Sequence, residues 1–118
     1  MEFKTNIPIY LQVIEDIKQK IIAGALPPGS KLPSSRELAI EYQINPNTAA
    51  RIYSEMESMG LSYTRRGIGT FVADDPQVVE QLKNERIEEI IKAFDEQLTG
   101  MGFSSGEILE LLKNYYGK

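Results

Sequence analysis

Three short polar segments hold the side chains best suited to binding chemistry: residues 34–36 (Ser-Ser-Arg), 45–48 (Asn-Pro-Asn-Thr) and 65–67 (Arg-Arg-Gly). An asparagine side chain can pair with the edge of adenine, and the unpaired N–H groups at a helix start attract phosphate. Two arginines before a glycine turn place positive charge at an exposed tip, where a minor groove attracts it. These residue types indicate contact with a nucleic acid.

The side chains that catalysis and metal binding most often need are missing. The chain has no cysteine and no histidine, which excludes thiolate nucleophiles, thiolate metal sites and the commonest general base. We interpret the acidic residues Glu85, Glu88 and Glu89 as the solvated face of a helix, in preference to a metal or ligand site. The sequence therefore predicts that the protein is not an enzyme and has no metal or cofactor.

Charge is distributed unevenly along the chain. The net charge of the 118 residues is −4. Residues 1–73 hold eight Lys/Arg and seven Asp/Glu, or +1, whereas residues 74–118 hold five and ten, or −5. Because nucleic-acid binding depends on neutralising phosphates, the front of the chain is the better candidate for it. The sequence has no membrane-spanning run and no signal-peptide pattern, which predicts a cytoplasmic protein without a membrane partner.

Helical spacing and turn residues predict three helices in the front of the chain. The capping box that begins at Ser34 predicts a helix over residues 35–42, and Asn45 before Pro46 predicts the start of another, which ends at Gly60. A short turn between two such helices is typical of a helix-turn-helix. A preceding helix over residues 8–23 is predicted by the stripe Ile9, Val13, Ile14, Ile17 and Ile21.

A β-hairpin, the wing, is predicted after these helices. Residues 61–65 alternate with a period of two, residues 66–69 supply turn glycines, and residues 70–72 are β-prone again. Residues 73–76 then break the pattern. We therefore expect a winged helix-turn-helix domain over residues 1–73 and a separate tail over residues 74–118.

The tail pattern predicts two amphipathic helices, the second opened by a capping box at Ser104 and Glu107. A tail of this length cannot bury that much apolar surface alone, and a second copy of the chain would cover it. The expected fold is mainly α with a small β-hairpin, a winged helix-turn-helix plus a short two-helix dimerisation element. The residues predicted to dimerise are Ile87, Ile90, Ile91, Phe94, Leu98 and Leu112.

Several motifs in order resemble the GntR family of bacterial transcription regulators over residues 8–73. They are residues 32–39 (Leu-Pro-Ser-Ser-Arg-Glu-Leu-Ala), 45–48, 60–61 (Gly-Leu) and 66–72 (Arg-Gly-Ile-Gly-Thr-Phe-Val). Residues 8–12 (Pro-Ile-Tyr-Leu-Gln) and 45–48 are similar to the YtrA subfamily, whose members carry a short two-helix dimerisation element. The resemblance implies a homodimeric repressor that binds an inverted-repeat operator in double-stranded DNA.

The resemblance also implies which residues contact DNA. Pro46 and Ala50 depart from the family, because many relatives have arginines at these positions, so base contact is expected to rest more on Asn47 and Thr48. Arg51 lies one position after Ala50, where many relatives have an arginine. The predicted DNA-binding residues are Ser34, Ser35, Arg36, Pro46, Asn47, Thr48, Arg51, Arg65, Arg66 and Gly67.

Other interpretations of the same residues stay open at this stage. The alternatives are that residues 45–48 only cap a helix, that Arg36 is a solvated side chain, and that Arg51 pairs with Glu55 four residues on. A winged helix can also serve protein–protein assembly, because fold does not decide function. Salt dependence separates the two functions, since DNA binding weakens steeply with salt. The sequence does not determine whether a small-molecule effector exists.

Overall fold

Five helices and one β-hairpin follow one another in the computed structural model, which describes all of residues 1–118. The mainly α fold with a small hairpin is confirmed, and the three front helices end within two residues of their expected positions. In chain order the elements are α1 (Ile9–Ile22), α2 (Ser35–Tyr42), α3 (Pro46–Ser58), β1 (Ser62–Arg65), β2 (Gly69–Val72), α4 (Pro76–Gly100) and α5 (Ser105–Tyr116).

Local hydrogen bonds fix where α2 and α3 begin. The Ser34 hydroxyl oxygen accepts from the Glu37 N–H at 3.1 Å, and the Glu37 carboxylate accepts from the Ser34 N–H at 3.0 Å. The Asn45 side-chain oxygen accepts from the Asn47 N–H at 2.8 Å, and Pro46 is the first helical residue. These contacts satisfy N–H groups that a helix start leaves without partners. Both starts agree with the sequence prediction.

The core of the first part of the chain lies where α1, α2 and α3 meet. Each helix contributes an apolar stripe, and removing this surface from water is the main force that holds the three together. The stripes consist of Val13, Ile14, Ile17 and Ile21 from α1, Leu38, Ala39 and Tyr42 from α2, and Ala49, Ile52, Tyr53 and Met56 from α3.

The wing is a two-stranded antiparallel sheet. Tyr63 lies opposite Phe71, and their rings stack with centroids 5.5 Å apart. Gly67 has φ of +79° in the turn, which an L side chain rarely adopts. Lys31, before α2, forms an isolated antiparallel bridge with Phe71, which attaches the segment ahead of α2 to the wing.

The chain divides into two compact units, Met1–Leu82 and Lys83–Lys118. The first unit includes the beginning of α4, because Leu82 belongs to the buried core cluster and Val78 and Val79 pack against it. The sequence places the boundary earlier, at residue 73, where the wing ends. In the second unit, the Ser104 hydroxyl accepts from the Glu107 N–H at 3.3 Å, as the capping-box prediction requires. No helix has the length and apolar character needed to cross a bilayer.

Candidate nucleic-acid interface

The start of α3 presents polar side chains to solvent. Asn47 is exposed and Thr48 is half-buried, whereas the adjacent Ala49 is fully buried and anchors the helix in the core. The side chain of Asn45 is occupied by its cap hydrogen bond to the Asn47 N–H. Asn45 therefore positions the helix, and Asn47 keeps its own side chain available for a base edge.

The start of α2 combines a structural cap with an exposed cation. Ser34 uses its hydroxyl oxygen in the capping box, and its hydrogen bonds to Glu37 lower the pKa of that carboxyl below its ordinary value. Ser35 and Arg36 follow in the first turn of the helix, and Arg36 is exposed. Glu37 therefore places a negative charge beside these residues.

Two exposed arginines lie at the end of the wing. Arg65 is the last residue of β1, and its carbonyl accepts from the Ile68 N–H at 2.9 Å across the turn. Arg66 and Gly67 form the turn itself. Neither arginine forms an ion pair with a carboxylate of the chain. Their charges remain available to an external anion.

A groove of about 350 Å³ joins the start of α2 to the wing. It brings Ser34 and Ser35 together with Arg65 and Gly67, four residues that the sequence predicts as one site. The predicted residues Arg36, Pro46, Asn47, Thr48, Arg51 and Arg66 do not line it. The predicted DNA-binding residues therefore lie in at least two places, this groove and the start of α3.

Lys31 also lines the groove, and the sequence interpretation leaves it out of the site. Its position depends on the bridge to Phe71, 40 residues away in the chain, so no local motif identifies it. The one available signal is a lysine three residues before a capping serine, which is common on protein surfaces. Only the fold places Lys31 beside Arg65.

Arg51 has two partners within the chain. Its guanidinium carbon lies 3.9 Å from the centre of the Tyr10 ring in α1, and its Nε lies 4.0 Å from the Glu55 carboxylate. The Glu55 contact is at the limit of an ion pair and both groups are largely exposed, so it contributes little. The Tyr10 ring is the contact that orients Arg51, and the sequence interpretation did not identify it.

A polar cluster connects α1 with α2. The Tyr42 hydroxyl donates to the Asp16 carboxylate at 2.6 Å and accepts from the Lys20 ammonium at 3.0 Å. Burial and the bond to Asp16 raise the pKa of Tyr42 to about 12, and the bond to Tyr42 raises the pKa of Lys20. Lys20 also contacts Glu41 at 3.4 Å. This lysine therefore holds two helices together.

The predicted dimerisation residues lie on α4 and α5. Four of them are exposed apolar side chains on α4: Ile87 (51%), Ile90 (60%), Ile91 (59%) and Phe94 (37%). Leu98 and Leu112 are half-buried. An exposed group of this kind at helical spacing is unusual for a surface that faces only water.

The family model of the bacterial regulatory proteins of the gntR family matches residues 9–72, which contain the three helices and the wing. The chain belongs to the gntR family. Proteins of this family regulate transcription, and the helix-turn-helix and wing of this GntR-family chain are the elements that its family model covers.

Two known regulators are similar in sequence to this chain. The chain is 42% identical to the uncharacterized HTH-type transcriptional regulator YhcF of Bacillus subtilis over 114 residues, covering 97% of this chain and 94% of YhcF. It is 42% identical to the HTH-type transcriptional repressor YtrA of the same organism over 72 residues, covering 61% of this chain and 55% of YtrA. The resemblance to YtrA-like proteins is confirmed. The family and both relatives are transcription regulators, not enzymes.

Solved structures confirm the winged-helix fold of the GntR-family chain. A GntR family transcriptional regulator from Listeria monocytogenes superposes with a TM-score of 0.86 at 33% identity, covering 95% of this chain and 98% of that one. AraR(DBD), in complex with operator ORR3, superposes with a TM-score of 0.55 at 36% identity, covering 62% and 86%. The second structure holds its operator DNA.

Proposed function

We propose that this GntR-family regulator is a homodimeric repressor that binds an inverted-repeat operator. The observation that carries the proposal is the set of exposed polar residues at the start of α3 and at the wing tip, within a domain whose family regulates transcription. The relative YtrA is named a repressor, which favours repression over activation.

In the proposed complex, α3 enters the major groove with its first turn against the bases. Asn47 is the base-reading residue, because its side chain is exposed and can form two hydrogen bonds to adenine. Thr48 contacts a base edge or a thymine methyl, and Pro46 packs beside the backbone. Arg51 follows one turn later on the same helix, within reach of the next base pair.

The remaining predicted residues position the protein on the DNA backbone. Arg65, Arg66 and Gly67 place the wing tip against the adjacent minor groove, where positive charge is attracted. Ser34, Ser35 and Arg36 contact phosphates near the start of α2. The resulting interface combines base contacts on one helix with backbone contacts on two neighbouring elements.

In this proposal, the tail of one chain pairs with the tail of a second copy. The exposed apolar residues of α4 recur at positions 87, 90, 91 and 94, a spacing that places them on one helix face. Pairing of these faces removes them from water and fixes two winged domains at one distance. A two-fold protein of this kind binds a two-fold operator.

Selection of bound duplexes from a randomised DNA pool tests the proposal. At about 150 mM salt, near physiological ionic strength, the protein is expected to enrich an inverted repeat. Asn47→Ala is expected to lose the base preference at one position of each half-site while the protein stays folded. Failure of the folded wild-type protein to enrich any sequence would contradict the proposal.

A further inference from the structure

Lys31 holds a fixed backbone position beside the wing. Besides its own bridge to Phe71, the neighbouring Leu32 N–H donates to the Thr70 carbonyl at 2.8 Å, and the Val72 N–H donates to the Ser30 carbonyl at 2.9 Å. The segment ahead of α2 thus runs along β2 as a short additional strand. The position of Lys31 relative to the wing is set by these backbone bonds.

The side chain of Lys31 lies across the face of Gly69. A Cβ atom at Gly69 would be 2.8 Å from the Lys31 Cε and 3.6 Å from its ammonium nitrogen. Because non-bonded carbon atoms pack at roughly 3.5–4.0 Å, the missing side chain at Gly69 is what leaves room for the lysine. Lys31 is exposed, and its ammonium forms no ion pair. The cation therefore lies over the wing without a direct ion pair to a carboxylate.

The charge of Lys31 makes the net charge of the groove between α2 and the wing positive. The groove contains two cations, Lys31 and Arg65, and one anion, Glu37. Glu37 is ionised at neutral pH, and its hydrogen bonds with Ser34 and the charge of Lys31 hold its pKa below the ordinary value. Without Lys31, Arg65 and Glu37 would cancel. The hydroxyl groups in the groove belong to Ser34, Ser35, Thr64 and Thr70.

We propose that this groove binds one phosphate of the DNA backbone and that Lys31 supplies the cation. The proposal rests on the proposed function, since it assigns a further contact in the same complex. A phosphate is favoured over a base because the groove is lined by hydroxyls and a lysine, a compact point charge, and by no residue of α3. Lys31 is expected to add affinity for any sequence, without changing which sequence is preferred.

The salt dependence of binding measures such a contact directly. The logarithm of the binding constant falls with the logarithm of salt concentration by about 0.9 for each phosphate neutralised. We expect Lys31→Gln to reduce this slope by about 0.9 for each bound protomer and to weaken binding to specific and random duplexes by the same factor. Lys31→Arg is expected to keep the wild-type slope.

Lys92→Gln is the matched control, because it removes one exposed lysine from the tail. A slope for Lys31→Gln equal to that of Lys92→Gln would overturn the assignment, as would a change in the selected base sequence, which would make Lys31 a base contact. If the wild-type protein binds no operator, the proposed function itself fails. If the wild-type protein binds its operator but Lys31→Gln has the same salt-dependence slope as the wild type, the proposed phosphate site is wrong and the proposed function stands.

Discussion

The guanidinium of Arg51 lies 3.9 Å from the centre of the Tyr10 ring, which joins α3 to the first turn of α1. A cation over an aromatic face is attracted to it, and the contact limits the rotamers that the long arginine side chain adopts. Arg51 follows Asn47 by one helical turn. The ring of Tyr10 therefore holds Arg51 beside the residues proposed to read the operator.

Removing the Tyr10 ring is expected to weaken operator binding. Because Arg51 is largely exposed, the contact is worth about 0.5–1 kcal/mol, so Tyr10→Leu should raise the Kd about two- to five-fold. Tyr10→Phe keeps the ring and should bind like the wild type. Fluorescence anisotropy with a labelled operator gives both values. If Tyr10→Leu weakens binding just as much in an Arg51→Ala background, the ring does not act through Arg51.

Local signals predicted the helix starts because each signal consists of residues that lie within four consecutive positions. The capping boxes at Ser34 and Ser104 and the Asn45-Pro46 pair need only neighbouring backbone groups, and all three are confirmed. The apolar spacing of α1 likewise predicted the burial of Val13, Ile14, Ile17 and Ile21, whereas Ile9, in the same predicted stripe, is exposed because it lies at the end of the helix. Turn residues predicted the hairpin for the same reason.

Contacts between residues far apart in the chain were not predicted from the sequence. Tyr10 meets Arg51 and Lys20 meets Tyr42 only because α1 packs against the other two helices. Lys31 enters the groove only because its segment pairs with β2. A lone lysine or tyrosine has no local pattern that distinguishes these roles from ordinary solvation or packing, so part of the candidate site became identifiable only in the folded chain.

The Tyr42 cluster predicts a loss of stability in alkali. The pKa of Tyr42 is raised from 10.0 to about 12 by burial and by its bond to Asp16. A group whose pKa is raised on folding stabilises the fold fully below its unfolded pKa, and this contribution is lost as pH rises through the folded value. The free energy of unfolding is thus expected to fall by about 1–3 kcal/mol between about pH 10 and pH 12.

Tyr42→Phe tests the source of this alkaline loss. The variant removes the titrating hydroxyl, so its free energy of unfolding should fall less between about pH 10 and pH 12 than that of the wild type. Part of the fall should remain, because burial also raises the pKa of Tyr53. Tyr115→Phe, at an exposed position, is the matched control. Urea denaturation at several pH values gives the measurement, and identical pH profiles for Tyr42→Phe and Tyr115→Phe would refute the assignment.

Ser62, at the start of β1, has a buried hydroxyl with no hydrogen-bond partner in the chain. An unsatisfied buried polar group opposes folding, so Ser62→Ala is expected to leave stability unchanged or to raise it by up to about 1 kcal/mol. Thr64→Ala, on the exposed part of the same strand, serves as control. Thermal denaturation monitors both variants. A loss above about 1 kcal/mol for Ser62→Ala would show that its hydroxyl is satisfied.

The tail prediction concerns the exposed apolar face of α4. Placing charge at its centre with the double substitution Ile90→Glu and Phe94→Glu is expected to give a monomer by sedimentation, because carboxylates cannot be buried there without a partner. Because a monomer has only one winged domain, it cannot bind both half-sites together, and its operator binding should be weaker by about 10²-fold or more. Lys92→Glu replaces a cation with a carboxylate between these positions but off the face they share, and it should leave both properties intact. A dimer that survives the double substitution would mean that other residues hold the copies together, whereas a monomer with undiminished operator affinity would separate dimerisation from DNA binding.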